Sequence, residues 1–546
     1  MKNIFFVFCF ISFSNSLFGA SLDFSTFLGA WGTIKGYDIV SNDSGEVLVT
    51  GEFQASGFPI TSGTYTAGFS GKNIFVSKFS KDGSNLLFSS SIGSQGNDFG
   101  YGIKLGKYED IFIIGRTWSS SFPTVNFYDS SYNGYSDNFV CKLSSDGATI
   151  VYSSYIGGNW YDYAYDLAID NNENLFLLGS VESSSYPKVN AFDNSFGGSV
   201  EMTLTKFDSV GNGIIFSTFI GGNSSEYGHC LTLDSFGNPI LTGFAHSSDY
   251  PTITGSFDIS KSGSNDIIVS KFAADGQTLL FSTFIGGAGN DIGNALVTNL
   301  NDDVFLTGYS LSTNFPTANG FSQILNGSQD AIICKVSNDG SALLYSSFFG
   351  GSSDEFGYGI SLGENSQVFI SGNTISNDLP VLNSIDSTYS GGNDIFISHL
   401  NVLNNSLNFS TYLGSPLEDS QDIYGNPLTY NNGNVSFIGY TNSNFPSTIN
   451  SYDNSFGGDW DAVIGSLKPD YRISDLQIET FGNNIKLTWG KIPIAVNYKI
   501  YRSTTSNINN AVLLTTLSNS FNQPSFTDDG TSQNSDKYFY FVTWED

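Results

Sequence analysis

The chain has 546 residues, of which only 13% are charged, and it carries 60 glycines, 48 phenylalanines and 29 tyrosines. That mix suits many short strands joined by turns and excludes a helical bundle. Asp and Glu number 51 against 21 Lys and Arg, a formal net charge of −30, and so acidic a surface sets nucleic acid and anionic membrane aside as partners.

Residues 1–20, MKNIFFVFCFISFSNSLFGA, hold one lysine, an apolar run and then small residues. This is the pattern of a secretory signal peptide cut near Ser16 or Ala20, so a secreted or cell-surface protein is expected. No later stretch is apolar and long enough to span a bilayer.

From residue 24 a motif recurs: FSTFLGA at 24, FSSSIGS at 88, YSSYIGG at 152, FSTFIGG at 216 and 281, YSSFFGG at 345 and FSTYLGS at 409. Its glycines are Gly29, Gly93, Gly157, Gly221, Gly286, Gly350 and Gly414, spaced by 64 or 65 residues. A repeat of this period announces an array of like units. In the unit after Gly286, NALVTN, VFLTGYS, AIICKVS and ALLYSSFFG read as four short strands, joined by LNDD, a longer loop and NDG. Seven such units predict an all-β fold, a seven-bladed β-propeller over residues 21–468, with strand one innermost and strand four outermost. The last unit stops after its third strand, DAVIGSLK at 461–468, while an unpaired outer strand precedes the first unit. Pairing the two would close the ring and remove an open edge.

The YSTYLGG-like strand, the G-x-V-x-V-T-G strand (GEVLVTG at 45–51), the S-x-x-F-P loop and the D-x-F-V-S-K strand together resemble the SBBP β-propeller repeat of secreted and surface bacterial proteins, over about residues 24–468. The resemblance implies a fold and a surface location and no reaction.

Several columns of the repeat read as framework. Pro59, Pro123, Pro187, Pro251, Pro316, Pro380 and Pro446 each follow Phe, Tyr or Leu, which places them in the loop after strand two with the preceding side chain between blades. Asp-Gly pairs at 82, 146, 275 and 339 suit the tight turn joining strands three and four. They resemble the sialidase Asp-box in place, yet a sialidase-like site needs several arginines and the propeller has one, Arg116. Lys78, Lys142, Lys206, Lys271 and Lys335 share a column on strand three. Asp98, Asp162, Glu226, Asp291, Glu355 and Asp419 stand five residues after the anchor glycine, with Ile34 as the exception. These carboxylates are expected to accept turn amides or to pair with lysines. Each lies in a separate blade, so the column alone makes no calcium site, although calcium is the one cofactor it leaves in view, with no other cofactor expected. Cys141, Cys230 and Cys334 read as small buried residues, not as a disulfide frame or zinc site. His229, Cys230, Glu226 and His246 match no metal-ligand template.

Function is sought where the repeat is broken. The loops before strand one and after strand two share a face. Trp31 and Trp160 fall in the first kind, Trp118 and Trp460 in the second, from blades one, three, two and seven, which are neighbours round the ring. His229 and His246 of blade four share that face. Flat rings bearing a donor suit sugars and protein interfaces, so the candidate ligand-binding set is Trp31, Trp118, Trp160, Tyr161, Tyr163, His246 and Trp460. No nucleophile with a base and orienting group stands out, and no acid pair leaves the repeat columns. The reading is a non-catalytic binding or scaffold protein for a glycan or an extracellular protein. A polysaccharide-active hydrolase or lyase and a purely structural envelope component are the rivals.

After Pro469, ISDLQIETFGNNIKLTWGKIPIAVNYKIYRS and SFTDDGTSQNSDKYFYFVTW resemble a fibronectin type III domain, an immunoglobulin-like β-sandwich over about 469–546. The resemblance puts Trp489, Tyr498, Tyr501 and Tyr538 in its core. The sequence stops at VTWED, after the sixth strand of that pattern, so the sandwich is expected to lack its seventh strand, through truncation of a longer chain or a strand lent by a partner.

Overall fold

The computed structural model describes residues 8–9, 20–67, 71–363, 367–469, 477–481, 484–488, 497–503, 512–518, 525–528 and 539–545. The signal-peptide pattern lies almost wholly outside these residues, as do Trp489 and Tyr538. Every regular element described is a β-strand.

Leu22–Lys468 form one compact unit. Its first six blades are regular four-stranded antiparallel sheets, each in chain order from the axis outward. Blade one comprises Trp31–Ser41, Val47–Ser56, Asn73–Phe79 and Leu86–Ile92, and blade two Asp98–Leu105, Ile111–Thr117, Asp137–Leu143 and Ile150–Ile156. The seventh sheet takes Ser21–Leu28 as its outer strand, bonded to Asp461–Lys468. The ring is therefore closed by the N-terminal strand, and the fold is a seven-bladed propeller. In the second compact unit, Gln477–Phe481, Asn484–Thr488 and Ser525–Asp528 make one antiparallel sheet. Asn497–Ser503 pairs with Val512–Ser518 and with Phe539–Glu545 in another.

The recurring heptad has a packing cause. Its first residue is an aromatic ring lying under the strand three–four hairpin of the next blade. A Cβ on Gly211 would stand 2.3 Å from Tyr152, one on Gly276 2.3 Å from Phe216, and one on Gly340 2.4 Å from Phe281. These glycines also adopt φ of 69–76° across the Asp-Gly and equivalent turns at 147, 211, 276 and 340, the left-handed region. Ring and hairpin thus dock blade to blade, and each unit needs its own copy. The hydrophobic clusters follow the same logic: one joins Phe281 and Ile285 of blade four to Phe305 and Ile333 of blade five and Phe396 of blade six. Burying each such side chain contributes about 1.5–3 kcal/mol. The aromatics before the prolines are buried too, but against strands of their own blade: Phe122 meets Phe139 and Tyr155, and Phe58 stacks on Phe53.

Blade seven departs from the repeat. Its inner strand is broken into Asp419–Ser420 and Leu428–Asn431. Pro427 cannot donate to a ladder, and Gly425 has φ 65°. The chain between them leaves the sheet.

Candidate functional site

The inner strands of the first six blades carry the same irregularity. The register with strand two slips between Gly36 and Asp38, Gly100 and Gly102, Ala164 and Asp166, Gly228 and Cys230, Gly293 and Ala295, and Gly357 and Gly359. Each is a β-bulge, which frees one residue from the ladder and re-aims it. The freed residues are Tyr37, Tyr101, Tyr165, His229, Asn294 and Tyr358, each eight positions after its anchor glycine, with Asp422 at that spacing in blade seven. They form a ring round the axis. His229 Nδ1 lies 3.1 Å from Gly293 O and from Asn294 Oδ1, and Asn294 Nδ2 donates to Gly357 O at 2.8 Å, so side chains of one bulge hold the backbone of the next.

The segment released from blade seven crosses this ring. Tyr424 stacks on Tyr101 with centroids 3.9 Å apart and planes 12° apart, and meets Tyr37 edge-on at 5.6 Å and Tyr165 at 5.9 Å. Gly425 N donates to Tyr165 O at 3.2 Å, and Asn426 N to Asp38 Oδ1 at 3.0 Å. The loop thus touches blades one, two and three from blade seven and plugs the axis. Next to it, Lys104 joins Asp38 at 3.2 Å and Asp166 at 3.6 Å. Burial pushes the Asp38 carboxyl up, opposed by Lys104. The result is an aromatic floor across the axis, here termed with its rim the aromatic cup.

The rim extends the floor. Trp118 meets Phe99 at 6.0 Å, and Phe99 stacks on Tyr101. Tyr161 lies beside Tyr163 at 6.4 Å and stacks on Tyr135, which also touches Trp160 at 5.5 Å. Arg116 links the two groups: its guanidinium lies over Tyr163 at 4.2 Å, Trp118 at 5.3 Å and Tyr161 at 5.4 Å. His246 is exposed beside Phe244 and Tyr227, and Phe244 continues through His229 to Tyr165. Trp460 packs on Tyr440 at 5.4 Å under the Lys35 ammonium, and the Tyr440 hydroxyl donates to Asp422 at 3.4 Å. Ring contacts therefore connect Trp118 and His246 with the floor, Arg116 joins Trp160, Tyr161 and Tyr163 to Trp118, and Trp460 lies in the same hydrophobic cluster as Tyr37 and Tyr101. Trp31 stands apart, 83% exposed at the start of blade one. Trp118 and Trp160 are half-exposed, so their faces are open to a ligand.

Burial sets the charge of the cup. It holds His229 down to about 4, a neutral imidazole. It pushes Tyr424 up to about 12, and it raises Asp422 against the pull of Lys35. The floor holds tyrosine hydroxyls, the Asn294 amide, the His229 imidazole and the Asp422 carboxyl, groups that give and accept hydrogen bonds.

The acidic column accepts turn amides, as its place in the repeat predicts. Asp162 accepts Gly158 N at 2.8 Å, Asp291 accepts Gly287 N at 2.7 Å, Glu355 accepts Gly351 N at 2.8 Å, and Asp98, Glu226 and Asp419 do the same in their own turns. Among the described residues no three His, Cys, Asp or Glu side chains gather as a metal would need. The lysine column pairs instead with acids of the strand one–two turns, as Lys142 does with Asp110 at 3.0 Å and with Glu173 of blade three at 2.8 Å. Cys141, Cys230 and Cys334 are buried free thiols.

Sequence reasoning overlooked the bulge ring, Tyr424 and the setting of Arg116. The signal was present: a position eight after each glycine that reads Tyr, Tyr, Tyr, His, Asn, Tyr, Asp inside an otherwise regular repeat.

No protein-family model and no curated protein matches the chain. Among solved structures it resembles a protein of unknown function from Dyadobacter fermentans (12% identity, TM-score 0.37, covering 83% of this chain and 100% of that one). It also resembles the phage phi92 endosialidase (11%, 0.40, 86% and 72%) and BamB from Moraxella catarrhalis (11%, 0.33, 82% and 99%). Likenesses at this level carry no argument about what the protein does.

Proposed function

We propose that this is a secreted or cell-surface binding protein whose propeller presents the aromatic cup to a glycan, with the tail as a fibronectin type III-like appendage and the blades as SBBP-type repeats. The observation that carries the reading is the aromatic network that runs from Trp118 through Phe99 and Tyr101 to Tyr424 and on to Phe244, with the group of Trp160, Tyr161 and Tyr163 joined to it by the Arg116 guanidinium. Flat, half-exposed rings match the apolar faces of sugars, while neighbouring hydroxyls and amides match their polar edges. The signal-peptide pattern and the acidic composition support an extracytoplasmic setting.

The test is a glycan-array and calorimetric screen with the purified full chain, with calcium and with chelator, and with product analysis on every ligand that binds. Binding without product, reduced tenfold or more by Trp118→Ala or Trp160→Ala while Trp31→Ala leaves it unchanged, is the expected result. Turnover of a bound polysaccharide would replace this reading with the enzymatic one. Binding of no glycan would leave the envelope-scaffold reading in its place.

A further inference from the structure

Resting on the cup as the recognition site, we infer that Arg116 is an anion-recognition subsite within it and that the ligand is an acidic saccharide, its carboxylate seated on the guanidinium. Among the described residues, four cationic side chains are more than nine-tenths buried: Arg116, Lys142, Lys206 and Lys271. The three lysines all have carboxylates, at 2.8 Å (Glu173), 3.0 Å (Asp170) and 2.6 Å (Asp234). Arg116 differs. No carboxylate of the described residues makes an ion pair with it; Nε donates to Ser136 Oγ at 2.7 Å, the Tyr163 hydroxyl shares a further hydrogen bond with it, and the rings of Tyr163, Trp118 and Tyr161 lie against it.

The acids nearby make no ion pair with it. Glu182 accepts the Tyr163 hydroxyl at 3.2 Å, and Asp162 accepts Gly158 N through one oxygen, while its other oxygen has no partner and feels the Arg116 charge without touching it. A guanidinium withdrawn from water without a counter-charge is costly, and cation–π contacts offset only part of that cost. In a chain with a net charge of −30, a carboxylate could have been placed beside it at almost any neighbouring position. Leaving the charge unpaired makes sense when the missing partner arrives with the ligand. A planar guanidinium receives a carboxylate by two parallel hydrogen bonds, a geometry a lysine cannot copy. The rings that hold Arg116 are also the candidate sugar platforms, so one residue of the saccharide can stack and pair at once. At ordinary ionic strength the acidic surface beyond about 10 Å is screened and does not bar such a ligand.

The experiment measures calorimetric binding of the full chain to uronate oligosaccharides of several linkages. Each is paired with its carboxyl-reduced neutral counterpart, and an acidic peptide is run beside them. Wild type should bind at least one uronate tenfold or more tightly than its reduced form, and Arg116→Gln should erase that preference while leaving the weaker neutral binding in place. Equal affinity for acid and reduced forms in the wild type overturns the inference and needs no variant; a preference that survives Arg116→Gln overturns it as well. The two readings fail separately. Binding of neutral sugars that depends on Trp160 but shows no acid preference ends the anion subsite alone. Binding of the acidic peptide and of no saccharide ends the glycan reading together with it. Arg116→Lys, which keeps the charge, guards against a folding defect and should restore only part of the preference.

Discussion

Removing one hydroxyl tests how the rim loop that carries Trp118 is held. Tyr155, on the outer strand of blade two and 1% exposed, donates its hydroxyl to Ser119 O at 2.7 Å and accepts Phe122 N at 2.9 Å. Tyr412 does the same in blade six, with Ser376 O at 2.9 Å and Leu379 N at 2.8 Å. Blades three and five have Phe219 and Phe348 at this position, and there the loop closes on itself: Tyr186 N donates to Ser183 O at 3.4 Å and Phe315 N to Ser312 O at 3.1 Å. The tyrosine hydroxyl is thus inserted between a donor and an acceptor that can meet without it. Tyr155→Phe should therefore cost about 1 kcal/mol, the net worth of a typical hydrogen bond, and not the sum of two groups buried unsatisfied, about 2–6 kcal/mol. Urea denaturation of the full chain measures the loss, and hydrogen exchange over residues 119–123 should report faster opening of the loop. Tyr412→Phe should add to it within about 0.5 kcal/mol, because the two blades share no partners. A loss above about 3 kcal/mol, or unchanged exchange in the loop, would refute the argument that the loop can close directly.

Two further expectations concern the frame. Burial pushes Asp137 and Asp419 up to about 6 and Glu201 and Asp394 up to about 7. The folded state then holds more protons than the unfolded one between pH 4 and 7, so this stability is complete below the unfolded value and is lost as pH rises through about 6 to 7. Calorimetry should give a higher Tm at pH 5 than at pH 8. Glu201 Oε1 accepts Gly197 N and Gly198 N, while Oε2 has no partner and faces Glu226 across Gly221. Glu201→Gln places an amide donor there, so it should raise Tm at pH 8 and flatten the profile; a lower Tm at pH 8 would count against the pairing. Gly276→Ala combines φ 71° with a Cβ 2.3 Å from Phe216, whereas Gly237→Ala has φ 79° and open space. The second should cost about 1–2 kcal/mol of backbone strain and the first more than that by the clash, in urea denaturation; equal losses would show that ring and hairpin do not dock the blades.

Much of the frame was legible because it is written seven times. The anchor glycines fixed the blade count, and the spare strand at 24 fixed how the ring closes. The aromatic at the head of each heptad was visible as a repeat, though its partner, the hairpin glycine of the next blade, was not: that contact joins residues about 60 apart and appears only once the blades stand side by side. The site was legible in part. Trp118, Trp160, Tyr161 and Tyr163 were picked out as departures from the repeat, and loop topology put them on one face. Trp31 met the same criterion and yet stands alone, because exposure in a loop says nothing about which neighbours the loop has. In blade seven only the fold shows that the chain beside Gly425 and Pro427 turns inward and reaches Tyr101 and Tyr165.

The position of the bulge explains how a repeat can carry a site at all. In the outer heptad each residue is tied by ladder bonds and by docking on the next blade, so seven copies must stay alike. At the bulge the register slip between Gly100 and Gly102, and at its five counterparts, leaves Tyr101 and its equivalents out of the pairing with strand two. A residue without a ladder partner is under little pressure from the sheet, and its side chain points to the axis and not into a core between blades. That position could diverge to Tyr, His, Asn and Asp without unpicking a blade. The same freedom let blade seven abandon its inner strand there and send Tyr424 across the ring. Specific chemistry therefore collects at the axis and its rim, where Arg116 also stands, and the repeated surface outside is left to hold the ring shut.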